Sequence, residues 1–178
     1  MTNPCPPTGQ PSPRAVLVGP PGAGKSAIGR RLSNALNLPL IDTDELIADT
    51  VGKPCGEYFA EVGEPKFREL EEEIVAAALE NDGIISLGGG AVLSDATRDL
   101  LDRHTVIFID VSVEEGVRRT SGDDSRPVLQ AEDPEAHYRA LLDKRRPLYD
   151  EVADFRARTD NRSPQQIVGA ILSFLDTL

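Results

Sequence analysis

A glycine-rich segment near the start of the chain has the residue types and the spacing that bind phosphate groups. Residues 19–26, the phosphate cradle, match the pattern G-x-x-x-x-G-K-[ST] in full. Glycines let the backbone curl until its N–H groups face phosphate oxygens, and the following helix adds its positive dipole end. Lys25 is placed to reach the β- and γ-phosphates, and the Ser26 hydroxyl is placed to ligate Mg²⁺. The cradle therefore predicts a nucleoside-triphosphate site.

Two carboxylates two residues apart, Asp42 and Asp44, follow the apolar pair Leu40-Ile41. In an extended backbone, residues two apart project to the same side, so we expect both carboxylates to face the cradle. One would position Mg²⁺, and the other would orient or deprotonate an attacking alcohol, which phosphoryl transfer still needs. Acidic residues are also frequent in the first turn of a helix, so the pair has a purely structural interpretation as well.

Strand and helix signals alternate along the chain, and they define the framework that positions these residues. Short apolar runs predict strands at residues 15–18, 40–41, 84–87, 106–109 and, more weakly, 154–159. Phe67, Leu70 and Ile74 recur at helical spacing and predict the buried face of a helix. Ser112 and Ser163 begin two further helices with capping signatures. The alternation predicts an α/β fold of about five parallel strands flanked by helices, with ligands at the carboxyl ends of the strands.

Length and composition limit the classes of protein that fit. The 178 residues suit one domain, which we expect over residues 14–178 after a disordered leader, residues 1–13, that contains five prolines. A net charge of -11 argues against binding to nucleic acid or to an anionic membrane. No apolar run approaches the roughly 20 residues that span a bilayer. Cys5 and Cys55 have neither metal-ligand nor redox spacing, which favours a reducing cytoplasm.

From about Arg14 to the last helix the chain resembles the shikimate kinases, small P-loop kinases of aromatic amino-acid biosynthesis. The match rests on an ordered series of motifs: the cradle, Asp42-Thr43-Asp44, Phe67-Arg68-x-x-Glu71, Leu87-Gly88-Gly89-Gly90-Ala91, Arg118-Arg119-Thr120, Arg126-Pro127, Arg145-x-Pro147-Leu148-Tyr149 and Asp160-Asn161-Arg162. The resemblance implies a three-layer P-loop kinase fold with a mobile lid at about residues 120–135. It also implies transfer of the γ-phosphate of MgATP to the 3-hydroxyl of shikimate, giving shikimate 3-phosphate and ADP.

The resemblance implies a role for each matching residue. The expected catalytic residues are Asp44, Lys25 and Arg126. The expected ATP-binding residues are Gly22, Ala23, Gly24, Lys25, Ser26, Ala27, Arg119, Arg126 and Arg162. The expected shikimate-binding residues are Asp44, Arg68, Glu71, Gly88, Gly89, Gly90 and Arg145. Mg²⁺ would be held by Ser26 and, through water, by Asp42.

Physical reasons support several of these roles, and each has a plainer alternative. Two guanidinium forks at Arg68 and Arg145 suit a planar substrate carboxylate, and Glu71 lies close enough to Arg68 to orient it. The same Arg68–Glu71 spacing also occurs in surface ion pairs. A lid would exclude water and bring Arg126 to the transferring phosphate, whereas the plainer interpretation of the segment is an acidic loop.

Two other classes of function remain open at the sequence level. The chain could phosphorylate another small hydroxy acid such as gluconate, or a nucleoside monophosphate. It could also be a nucleotide-gated binding protein that no longer catalyses, although Lys25, Ser26, Asp42, Asp44 and Arg126 are all intact. We expect a monomer with ATP and shikimate as its partners.

Overall fold

Five segments form a parallel sheet in the computed structural model, which describes residues 11–120 and 133–178. The strands are β1 (Pro13–Val18), β2 (Leu40–Asp42), β3 (Gly83–Ser86), β4 (Val106–Asp110) and β5 (Phe155–Arg158). They lie in the order β2-β3-β1-β4-β5, and each neighbouring pair is parallel. The predicted fold class is confirmed, and each strand ends within two residues of its predicted bounds. β1 begins at Pro13, the last residue of the predicted leader, and residues 1–10 lie outside the described part.

Helices cover both faces of the sheet. Within the described ranges they are α1 (Lys25–Leu36), α2 (Thr43–Val51), α3 (Cys55–Val62), α4 (Glu64–Ala78), α5 (Asp95–Leu101), α6 (Val113–Thr120), α7 (Pro134–Val152) and α8 (Pro164–Leu175). Ala15 and Leu17 of β1 pack into a cluster with α1 and α8, while Val16 and Val18 pack into a second cluster with α4. This division follows from the alternation of side chains along a strand. None of these helices is both long enough and apolar enough to cross a bilayer.

The capping signature at Ser163 forms in full, whereas at Ser112 only the serine half of the predicted box forms, because the Ser112 N–H donates to Asp160 Oδ1. The Ser163 side chain accepts a hydrogen bond from the Gln166 backbone N–H, and the Gln166 side chain accepts one from the Ser163 backbone N–H. Ser112 Oγ accepts from the Glu115 N–H at the start of α6. Such caps satisfy N–H groups that have no partner inside the helix, and they fix where α6 and α8 begin.

The buried face of α4 differs from the predicted one. Leu70 and Ile74 are only half-buried, and the buried stripe instead includes Phe67, Glu71 and Val75. Both stripes have helical spacing, so periodicity alone does not choose between them. A carboxylate takes the place of an apolar side chain because Glu71 has a cationic partner on the same helix, as described below.

Candidate active site

Loops that follow three neighbouring strands meet at one edge of the sheet and surround a cavity of about 600 Å³. The cradle follows β1, the acidic pair lies at the end of β2 and the start of α2, and the glycine turn, residues 88–90, follows β3. All three segments line the cavity, and α4 and α7 also contribute side chains. Parallel strands bring their carboxyl ends to one edge, so this arrangement follows directly from the sheet topology.

The cradle has the backbone conformation that its glycines permit. Gly22 and Gly24 have φ values of 81° and 98°, in the left-handed region that residues with a Cβ rarely adopt. Gly24 caps α1, and Lys25 and Ser26 form the start of that helix. Lys25 Nζ donates to the carbonyl oxygens of Gly19 at 2.6 Å and of Pro20 at 3.0 Å. The helix N-terminus and this ammonium group together make the cradle a site for an anion.

The other residues predicted to bind ATP lie at varying distances from the cavity. Arg119 lies beside the cradle, where it donates to the Ala23 carbonyl oxygen at 3.3 Å and to Thr159 Oγ1 at 2.9 Å. The Ala23 side chain is buried, and neither it nor Ala27 lines the described cavity. Arg162 is exposed in the loop after β5 and also lies outside the cavity lining. Arg126 and most of the predicted lid lie outside the described residues.

Asp42 and Asp44 both line the cavity, but the geometry differs from the predicted extended pair. The strand ends at Asp42, whose Oδ1 caps α2 by accepting from the N–H of Asp44 at 2.9 Å and of Glu45 at 3.4 Å. Asp44 therefore belongs to the first turn of a helix rather than to a strand. The structural interpretation of the pair as helix-terminal acids is correct for its geometry. That geometry still brings both carboxylates to the cavity.

Arg68 and Arg145 reach the cavity from α4 and α7. Arg68 Nη1 donates to Glu71 Oε1 at 2.8 Å, and its guanidinium lies 5.3 Å from the centre of the Phe67 ring. Glu71 is 3% exposed, so the pair is not a surface ion pair. Burial raises the pKa of Glu71 above its ordinary value, and the adjacent Arg68 guanidinium only partly opposes this effect.

The glycine turn lets charged side chains lie directly on its backbone. A Cβ added at Gly88 would be 2.5 Å from Asp44 Oδ1, and one at Gly90 would collide with the Arg68 guanidinium. A Cβ at Gly89 would lie 3.5 Å from Arg145 Nη1. Gly88 and Gly90 therefore leave room for the Asp44 carboxylate and the Arg68 guanidinium, whereas the atom nearest to a Cβ at Gly89 is Pro21 Cδ, at 3.2 Å.

Sequence reasoning assigned no role to four residues that hold this site together. Thr43 Oγ1 accepts from the Gly88 N–H at 3.2 Å, and Cys55 Sγ donates to the Asp44 carbonyl oxygen at 3.1 Å. Burial, with the Asp44 carboxylate second, raises the pKa of Cys55 to about 11. Two tyrosines of α7, Tyr138 and Tyr149, bond to the cradle and to the glycine turn, respectively. Thr43 and Tyr149 belong to the motifs Asp42-Thr43-Asp44 and Arg145-x-Pro147-Leu148-Tyr149. Their hydrogen-bond partners are distant in sequence, so no local pattern predicts them.

The chain is similar to shikimate kinases over nearly its whole length. A family model described as "Shikimate kinase" matches residues 21–176. The shikimate kinase of Corynebacterium efficiens is 63% identical over 164 residues, which cover 92% of this chain and 97% of that relative. That of Corynebacterium glutamicum is 60% identical over the same shares of the two chains.

Solved structures give the same result. A shikimate kinase from Acinetobacter baumannii in complex with shikimate is 32% identical, with a TM-score of 0.87 and coverage of 94% of each chain. A gluconokinase from Sinorhizobium meliloti also has a similar fold, with a TM-score of 0.56, at 16% identity over 94% of this chain and 93% of that one. The second likeness concerns the fold alone.

Proposed function

The chain belongs to the shikimate kinase family, and we propose how its residues carry out the reaction of an ATP-dependent kinase that acts on shikimate. The γ-phosphate of ATP is transferred to the 3-hydroxyl, giving ADP and shikimate 3-phosphate. One observation carries the proposal: a single cavity joins a phosphate cradle to two arginines and an exposed carboxylate. Such a cavity suits an acceptor that is both an anion and an alcohol.

Arg68 and Arg145 bind the carboxylate of shikimate. They approach from α4 and α7, so the acceptor is held between two elements rather than by one flexible loop. Glu71 fixes the direction of the Arg68 guanidinium through its 2.8 Å hydrogen bond. A guanidinium held in this way binds a planar carboxylate with little loss of conformational freedom. The glycine turn supplies backbone against which the ring lies.

Asp44 orients the attacking 3-hydroxyl and accepts its proton as the bond to phosphorus forms. This role is supported by its position at the second residue of α2, where it lines the cavity and packs on Gly88. Lys25 neutralises charge on the β- and γ-phosphates. In the described structure its ammonium lies on the cradle carbonyls, within the loop that receives those phosphates. Binding and alignment therefore account for most of the rate enhancement.

Mg²⁺ accompanies ATP at the same edge. The Ser26 hydroxyl and the Asp42 carboxylate line the cavity, and both are the hard oxygen donors that Mg²⁺ prefers. Ser26 would bind the ion directly and Asp42 through water. When bound, Mg²⁺ neutralises phosphate charge and holds the leaving ADP.

Seven residues complete the ATP side of the proposal. The cradle N–H groups of Gly22 and Gly24 donate to phosphate oxygens, and Ala23 and Ala27 contribute backbone alone. Arg119 and Arg162 lie on the two sides of the adenine base. Arg126, carried by the segment between α6 and α7, stabilises charge on the transferring phosphoryl group.

The test is an assay of coupled ADP release with shikimate, quinate, gluconate and AMP as acceptors. We expect turnover with shikimate to exceed that with the others by at least about 10²-fold, because an acceptor of another shape does not bring its hydroxyl to Asp44 when the two arginines bind its anionic group. Lys25→Ala serves as the control for contaminating ATPases. Phosphorus–proton correlation in NMR then identifies the carbon that carries the phosphate. Comparable turnover with gluconate or AMP, or coupling to a carbon other than C3, would contradict the proposal.

We also propose that the enzyme acts as a monomer in the cytoplasm, with ATP and shikimate as its partners. A net charge of -11 repels nucleic acids and anionic lipids, which supports small-molecule substrates alone. Light scattering after gel filtration tests the monomer, and a mass of about twice 19.2 kDa would contradict it.

A further inference from the structure

Two buried tyrosines of α7 reach the two loops that bind the ligands, and the roles proposed above do not use them. Tyr138 Oη donates to the carbonyl oxygen of Pro21 in the cradle at 2.6 Å. Tyr149 Oη donates to the carbonyl oxygen of Gly89 in the glycine turn, also at 2.6 Å. They stand eleven residues apart, close to three helical turns, so they project from the same side of α7 at points about 16 Å apart. One helix thus bonds to both loops.

Each hydrogen bond fixes the direction of a peptide group. In a trans peptide, the carbonyl of one residue and the N–H of the next point in opposite directions. The described residues contain no cis peptide. Tyr138 therefore turns the Gly22 N–H away from α7 by holding the carbonyl of Pro21, and the bond to Gly89 orients the Gly90 N–H in the same way. The four residues of these two peptide groups all line the cavity.

Packing alone does not account for tyrosine at these positions. Both side chains are 0% exposed, and a buried hydroxyl is unfavourable unless it is hydrogen-bonded, so phenylalanine would fill the same space without that requirement. Tyr138 also needs an opening in α6: a Cβ added at Gly116 would collide with its ring and hydroxyl. Burial raises the pKa of Tyr149 to about 12, which keeps its hydroxyl protonated as a donor.

We propose that Tyr138 and Tyr149 are positioning residues that hold the two ligand loops in register, the first for ATP and the second for the acceptor. This proposal rests on the proposed function for the identity of the acceptor. The two loops leave paired neighbouring strands, β1 and β3, so the sheet sets where they begin, and α7 adds one hydrogen bond to each loop beyond the strand ends. In-line transfer requires the γ-phosphate and the hydroxyl to be positioned relative to each other to within a fraction of an ångström. The positions of the two loops therefore matter for the reaction.

The test compares Tyr138→Phe and Tyr149→Phe with the parent in the full chain. Tyr138→Phe should raise KM for ATP about three- to tenfold, the effect of one net hydrogen bond, and leave KM for shikimate within about twofold. Tyr149→Phe should raise KM for shikimate by the same factor and leave KM for ATP within about twofold. The matched control is Tyr58→Phe. Tyr58 is the third tyrosine of the chain and does not line the cavity, so both KM values should stay within about twofold of the parent. A role confined to stability would lower the melting temperature without separating the two constants.

A second variant reaches the same contact without removing the hydroxyl. Gly116→Ala should displace Tyr138 and reproduce the rise in KM for ATP, although alanine is otherwise the better helix former. Adding Tyr138→Phe to it should give no further increase. Titration with MgADP needs no acceptor, so it tests Tyr138 even if the parent fails to phosphorylate shikimate and the proposed function is wrong. Constants within twofold of the parent in both tyrosine variants, or equal changes in both constants, would overturn the proposal.

Discussion

Asp44 has the features that orientation of an acceptor hydroxyl requires. It lines the cavity, it is exposed, and its Oδ1 packs on the backbone of Gly88. The helix turn that holds it is fixed on one side by the Asp42 cap and on the other by the Cys55 thiol. A carboxylate held in this way loses little conformational freedom when it binds the hydroxyl.

Replacing Asp44 with asparagine should therefore affect the reaction and not nucleotide binding. We expect Asp44→Asn to lower kcat by at least about 10²-fold, the usual effect of losing a positioned base, and to leave the Kd of MgADP within about twofold. Steady-state kinetics and calorimetric titration measure the two quantities. Asp49→Asn, at an exposed position of the same helix, is the control. A kcat within a few-fold of the parent would rule out this role.

Glu71 allows a prediction about pH. Its pKa is raised above the ordinary value of 4.5, mainly by burial, so the folded protein holds this proton to higher pH than the unfolded chain does. The contribution of Glu71 to stability therefore falls as pH rises from about 4.5 through the folded pKa. Glutamine does not titrate. The melting temperature of Glu71→Gln minus that of the parent should increase across this window and stay constant above it.

Thermal unfolding from pH 4.5 to 8 provides the measurement, and Glu73→Gln, exposed on the same helix, provides the control. If the difference falls with rising pH instead, the attraction of Arg68 outweighs burial and the direction is wrong. The same variant should raise KM for shikimate because the glutamine oxygen accepts from Arg68 without the negative charge, which weakens the 2.8 Å contact that orients the guanidinium.

At the scale of elements, the start of α2 unites a structural and a chemical role in one side chain. Asp42 caps the helix and also lines the cavity as a proposed indirect ligand of Mg²⁺. The two roles separate by substitution, because asparagine caps a helix nearly as well as aspartate but carries no charge. Alanine removes both properties.

We therefore expect Asp42→Asn to melt within about 1 °C of the parent while it needs several-fold more Mg²⁺ for half-maximal activity. Asp42→Ala should show the same Mg²⁺ requirement and also lose about 1 kcal/mol of stability, or about 2–4 °C. Ser94→Ala, which removes the cap of α5, should lower the melting temperature alone. An unchanged Mg²⁺ requirement in Asp42→Asn would leave Asp42 as a helix cap only.

The elements were predictable from the sequence where the signal is local, and the contacts between them were not. Apolar runs gave the five strands, and the cradle pattern gave its own backbone shape. The Asp42–Asp44 pair was assigned the wrong geometry because its spacing fits both a strand and a capped turn. Tyr138 bonds to a residue 117 positions away and Tyr149 to one 60 positions away, so no spacing rule links them. The strand order, with β1 in the centre, depends on tertiary packing in the same way.

At the scale of the whole molecule, one buried carboxylate joins three elements at the carboxyl edge of the sheet. Asp110 ends β4 and is 0% exposed. Its Oδ2 accepts from Arg146 Nη1 of α7 and from Arg156 Nε of β5, both at 2.8 Å, and its Oδ1 accepts from the Val111 N–H at 2.8 Å. Because Arg146 directly follows Arg145, the network also anchors the part of α7 that faces the cavity. We therefore expect a change at Asp110 to affect both stability and the proposed binding of the acceptor.

Asp110→Asn keeps the shape of the side chain but removes the charge that both arginines share. Asparagine keeps one acceptor oxygen and has an NH₂ group, which accepts no hydrogen bond, in place of the other. At least one charge-assisted hydrogen bond is therefore lost, and each contributes about 1.5–3 kcal/mol. Arg146 and Arg156 are 30% and 46% exposed and regain some hydration, so we expect the lower end of this range and a melting temperature lower by about 3–8 °C. At temperatures well below the transition, KM for shikimate should rise more than KM for ATP, because Arg145, the proposed ligand of the shikimate carboxylate, directly precedes Arg146. Asp150→Asn, exposed on α7, is the control. A melting temperature within 1 °C of the parent would mean that the three elements are held together by packing and not by this carboxylate.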